Sequence, residues 1–129
     1  MKATLILFVL TMSISSLFAQ EPVQTAVKDS IVFEKLIHDY GTIKKGSNGN
    51  TEFKFTNKGE KPLVLSNVSS SCGCTVPSWP KEPIEPGKTG VIKVKYNTAG
   101  VGAFNKTITV SSNAVNSRVV LRIKGKVTQ

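Results

Sequence analysis

Apolar residues in this chain recur at every second position, and that period constrains the fold more than any other feature. Phe53 and Phe55 alternate with Glu52, Lys54 and Thr56. Ile92, Val94 and Tyr96 face one way while Lys93 and Lys95 face the other. Ile108 and Val110 are flanked by Thr107, Thr109 and Ser111, and Val119, Leu121 and Ile123 alternate with Val120, Arg122 and Lys124. Such alternation belongs to strands with one face on a core and one in water. Leu63 and Leu65 lead into Val68 one residue out of step, which predicts a bulge or kink. Turn chemistry separates the runs at residues 45–50, 57–62, 85–88 and 112–114, each rich in Gly, Asn, Pro or Ser. No window after the N-terminal segment sustains helical spacing. About seven strands with turns every 8–12 residues predict an all-β, immunoglobulin-like sandwich, with a single barrel as the runner-up. The expected core is Phe53, Phe55, Ile92, Val94, Ile108, Val110, Leu121 and Ile123.

The N-terminus does not follow this period. Met1-Lys2 gives a positive start, Ala3 to Phe18 is apolar or small-polar without charge, and Ala19 meets the polar stretch Gln20-Glu21-Pro22. These are the parts of a secretory signal peptide, with cleavage expected between Ala19 and Gln20. The apolar stretch Leu5 to Leu10 is too short for a membrane span. No Cys lies near it to carry a lipid anchor. Residues 1–19 therefore read as the signal, 20–30 as a flexible leader and 31–129 as one sandwich domain. The product is expected in the periplasm or outside the cell, not spanning a membrane after cleavage. Within the leader, Asp29-Ser30-Ile31 has the form of a short O-glycosylation acceptor.

Several motifs interrupt the alternation. Ser71-Cys72-Gly73-Cys74-Thr75 is followed by Pro77-Ser78-Trp79 and by Pro83-Ile84-Glu85-Pro86-Gly87. His38-Asp39-Tyr40-Gly41-Thr42-Ile43, Phe53 to Gly59 and Val110 to Ala114 complete the set. Together they resemble the bacterial exported family called domain of unknown function 1573, which is common in Bacteroidetes and similar to Ig-like domains of the sperm-protein and Hydin type. The resemblance runs from about Phe33 to Val127. It implies an Ig-like sandwich and leaves the task open.

Cys72 and Cys74 are the only site-like pair. Residues i and i+2 of a strand share a side, and their Cα atoms would lie near the upper limit for a disulfide. Closure then needs a kink, which Gly73 would permit. A disulfide or redox role is the leading reading in an exported chain. Copper is the alternative cofactor, held by the two thiolates, and a zinc site would draw on His38, the only imidazole. His38 beside a strand kink is more often a structural hydrogen-bonder. Trp79, ringed by prolines, either caps the sandwich end or serves as a contact residue; the cap is the preferred reading.

The charge is strongly positive: 17 Lys and Arg against 8 Asp and Glu. Lys54, Lys93, Lys95, Arg122, Lys124 and Lys126 fall on outward strand positions. They read first as a solvated face that also protects sheet edges, and second as an attractor for anionic envelope polymer. A signal peptide and the lack of a grouped Arg/aromatic surface argue against nucleic acid. No nucleophile elbow, zinc-protease motif or phosphate-cradling loop occurs. The chain is expected to be a non-enzymatic exported module that binds an envelope protein or a surface polymer. Thiol–disulfide exchange or Cu(I) handling at Cys72 and Cys74 is the competing class.

Overall fold

The computed structural model describes residues 30–129. Eight strands follow in chain order: β1 (Ile31–Phe33), β2 (Ile37–Lys44), β3 (Asn50–Asn57), β4 (Leu65–Ser70), β5 (Thr75–Ser78), β6 (Thr89–Tyr96), β7 (Gly102–Ser112) and β8 (Arg118–Thr128). They form two four-stranded sheets, ordered β1-β3-β6-β5 and β2-β8-β7-β4. Every pairing is antiparallel except β2 with β8. Neither sheet closes on itself, so the architecture is an Ig-like sandwich and not a barrel.

The alternating residues meet between the sheets. All eight expected core residues are at most 2% exposed. Their partners across the core are Tyr96 and Phe104, stacked with centroids 3.9 Å apart, and Val127. Outward residues of the same strands, among them Lys54, Lys93, Lys95, Arg122, Lys124 and Lys126, are exposed as the period requires. Two of these lysines approach acids, Lys54 to Glu34 and Lys124 to Asp39, at 3.9 and 4.0 Å. Both pairs are exposed, where such contacts add little.

The expected kink before Val68 is a register shift between Leu65 and Asn67. A second shift lies in β2 between Asp39 and Thr42, where Gly41 takes a φ of 67°. That left-handed backbone is open to glycine and costly for most other residues.

Three elements escaped the alternation. β1 has only three residues, β2 is bulged, and β5 contains Pro77. β5 lies at the edge of its sheet, the place where a strand tolerates proline. Ser30 is buried and its carbonyl accepts the Lys58 N–H at 2.9 Å, so a glycan on Ser30 does not fit this fold. The outer edge of β1 is occupied as well: Asn116 accepts the Ile31 N–H through Oδ1 and donates Nδ2 to the Ile31 carbonyl. The proposed signal and its Ala19–Gln20 junction lie outside the described residues.

Candidate functional site

The cysteines sit in the turn between β4 and β5, which links the edge strands of the two sheets. Cys72 and Cys74 are joined as a disulfide, with Cα atoms 5.3 Å apart. The chain turns here instead of running extended, and that closes the distance. Local hydrogen bonds hold the turn. The Cys72 carbonyl lies 2.6 Å from Ser70 Oγ and accepts the Thr75 N–H at 3.2 Å. Ser70 Oγ is also 2.8 Å from the Thr75 carbonyl. Asn97 N–H donates to the Cys74 carbonyl, tying the turn to the end of β6. Gly73 has no positive φ, and a Cβ built on it would meet nothing within 4 Å. The kink therefore comes from the turn's hydrogen bonds, and Gly73 is an open position rather than a steric necessity.

Two further turns converge on this end of the sandwich. The β2–β3 turn is locked by Gly49, whose carbonyl accepts both Tyr40 Oη (2.6 Å) and the Tyr96 N–H (2.9 Å). An added Cβ on Gly49 would run into the Tyr96 carbonyl oxygen, so the close approach demands glycine. The phenol of Tyr40 is pushed up to about 12 by burial, reinforced by the neighbouring Tyr96. The β6–β7 turn docks through Thr98 Oγ1, which donates to the Ser47 carbonyl at 2.6 Å.

Between these turns lies a groove of about 610 Å3, lined by Ser47 to Asn50 on one side, Gly73, Cys74 and Val76 on the other, and Lys95 to Thr98 beneath. An adjoining hollow of about 420 Å3 extends it over Glu52, Ser78 and Lys93, sharing Asn50, Val76 and Lys95. The groove is rich in donors. Asn48 Oδ1 accepts the Asn50 N–H and Asn97 Oδ1 accepts the Ala99 N–H, so each amide leaves its Nδ2 without a partner among the described residues. Lys93 and Lys95 likewise make no ion pair among the described residues. Val76 is 61% exposed and supplies an apolar patch.

The other predicted site residues lie elsewhere. His38 is on β2, at the opposite edge of its sheet from β4, so it does not meet the cysteines. Its Nδ1 accepts a hydrogen bond from Lys35 Nζ at 2.9 Å, and its ring meets Tyr40 edge-on. Burial holds its pKa below 6.5, Lys35 adds to that, and Asp39 opposes it. The two sulfurs are bonded to each other in this structure. No group of three or more His, Cys, Asp or Glu among the described residues is placed to hold a metal. Trp79 packs half-buried against the core beside Pro80, with Lys81 Nζ 3.1 Å from its ring centroid. Sequence reasoning found the disulfide but missed Asn48 and Asn97, whose Asx-turn positions were legible only as loop residues.

The sandwich, with its edge strands β4 and β5 linked by a disulfide turn, has an Ig-like fold. The chain belongs to the family described as "Protein of unknown function (DUF1573)", matched over residues 31–127. No curated protein matches it. Among solved structures it is similar to a protein of unknown function from Porphyromonas gingivalis W83, with TM-score 0.68 and 17% identity over 83% of this chain and 51% of that one. This chain thus spans about half the length of that protein. A PapD-like domain of human CEP192 gives TM-score 0.65 and 13% identity over 92% of this chain and 97% of that one. The Pseudomonas aeruginosa CupB2 chaperone gives TM-score 0.53 and 10% identity over 74% of this chain and 54% of that one. At these identities the likeness is one of fold.

Proposed function

We propose that this chain is an exported, non-enzymatic binding module that holds an extended segment of another exported protein in the groove beside the disulfide turn. The groove itself carries the reading: donors on Asn48, Asn97, Lys93 and Lys95, without side-chain partners among the described residues, stand around the exposed Val76. Peptide carbonyls and carboxylates match the donors, and an apolar side chain matches Val76. The fold shared with a chaperone supports a binding role. An anionic surface polymer is the second ligand class, since Lys93 and Lys95 would attract it equally.

Nuclear magnetic resonance titration of the domain with a short acidic peptide and, separately, with polygalacturonate tests this. The expected result is peptide-induced shifts at Gly73, Val76 and Lys95, with affinity falling roughly tenfold in Lys93→Glu/Lys95→Glu. Shifts with polygalacturonate alone would move the assignment to a polymer. Groove resonances that respond to neither ligand would defeat the reading.

A further inference from the structure

The disulfide itself has an asymmetry that the binding role does not use. Cys74 and Gly73 line the groove, whereas Cys72 does not. Gly73 is exposed and places no side chain over the bond. Cys74 is partly buried against the core on its other side, so the groove is the side from which an incoming group approaches it. Lys95, on the groove wall, draws an anionic thiolate toward it.

The two sulfurs also differ in what would stabilise them as leaving groups. Cys72 Sγ lies 3.2 Å from the Cys74 backbone N–H, which donates to it. Among the described residues, Cys74 Sγ has only the Thr75 hydroxyl, 3.9 Å away. A sulfur that accepts a hydrogen bond bears negative charge better, and a more acidic thiol leaves faster. The donor stays in place when the bond opens. Ser70 Oγ and the Thr75 N–H both engage the Cys72 carbonyl, and Asn97 fixes the Cys74 carbonyl.

We propose that Cys72–Cys74 is a thiol–disulfide exchange site of fixed polarity, attacked at Cys74 and opening at Cys72, whose substrate is a dithiol on another protein. The partner's thiolate attacks Cys74 Sγ and forms a mixed disulfide as the Cys72–Cys74 bond breaks. Cys72 leaves as a thiolate and takes a proton from water. The partner's second thiolate then attacks the partner sulfur of the mixed disulfide and displaces Cys74 as a thiolate, which is protonated in turn. The partner has lost two electrons to become a disulfide, and the pair has gained them as two thiols. Reverse exchange with a protein disulfide or oxidised glutathione restores the bond. This step goes beyond the binding reading and does not depend on it, because a small thiol reaches the sulfur without a protein segment in the groove.

The test uses the intact, oxidised protein and reduced glutathione. Acid quenching, alkylation and fragment mass spectrometry locate the glutathione. It is expected on Cys74, with the alkylated thiol on Cys72, in at least about tenfold excess over the reverse arrangement. An even split, or an excess on Cys72, would overturn the polarity. A protein that forms no mixed disulfide, and does not oxidise a reduced dithiol peptide faster than oxidised glutathione at equal concentration, would overturn the exchange role. Gly73→Val adds a second readout: it should slow attack by glutathione several-fold while leaving the unfolding midpoint unchanged. An unchanged rate in that variant would remove the argument from open access. The wild-type mapping decides the polarity even if the variant does not fold. Failure of the peptide to bind in the groove would leave these outcomes unaffected, so the two readings fail separately.

Discussion

Asn57 sits 1% exposed at the end of the sandwich opposite the disulfide, with every polar atom of its side chain engaged. Nδ2 donates to the carbonyls of Lys61 and Ile84 at 2.7 and 2.9 Å, and Oδ1 accepts the Gly59 N–H at 2.9 Å. One side chain thus satisfies the β3–β4 loop and the β5–β6 loop together. Asn57→Ala removes the side-chain partners of the Lys61 carbonyl and the Gly59 N–H, while the Ile84 carbonyl keeps the Leu63 N–H, and is expected to cost about 1–3 kcal/mol. Urea unfolding with an unchanged m-value would measure that loss. His38 gives a pH dependence of known sign. Its folded pKa is held below 6.5, so the unfolded chain binds the proton more readily. The stabilisation is complete above the unfolded pKa and is lost as pH falls through the folded one. Stability is therefore expected to decline as pH falls below about 6.5, and His38→Asn should flatten that part of the profile. A variant that keeps the wild-type slope would assign the effect to another group.

At the scale of elements, the contrast is between strands that state their period and strands that do not. β3, β6, β7 and β8 each bury one face against a complete opposing layer, so their apolar residues alternate and the sequence reveals them. β1 is too short to show a period, Gly41 shifts the register of β2, and Pro77 disguises β5 as a loop. All three are edge strands, where pairing on one side relaxes the pattern. The same logic divides the site. The C-G-C spacing marks the disulfide in sequence, but the groove needs three turns separated by about 25 residues each, brought together only by long-range bonds such as Thr98 to Ser47. These elements also differ in how much they hold. A disulfide closing about three residues removes roughly 1.6 kcal/mol of chain entropy. Phe55 lies fully buried, its ring against Gly90 and 5.6 Å from Phe33. Cys72→Ser/Cys74→Ser is expected to keep its β structure, whereas Phe55→Ala should lose about 3–5 kcal/mol. Circular dichroism showing the double serine variant unfolded at room temperature would reverse that ranking.

For the whole molecule, the question is what residues 1–29 contribute to the sandwich. Among the described residues, β1 is anchored by Ser30 with Lys58, Ile31 with Asn116 and Glu34 with Lys54. Cleavage after Ala19 leaves each of them intact. The basic start, the short apolar stretch and the polar residues after Ala19 are what a secretory signal requires, and a disulfide in the finished fold suits an oxidising compartment. We therefore expect export to leave a chain that begins at Gln20, and a chain made from Ser30 to Gln129 to unfold at the same urea concentration as one made from Gln20 to Gln129. N-terminal sequencing of exported material checks the first expectation, and paired denaturation curves check the second. Met1 intact on the exported protein would remove the signal reading. A lower midpoint for the shorter chain would show that the leader packs on the sandwich after all.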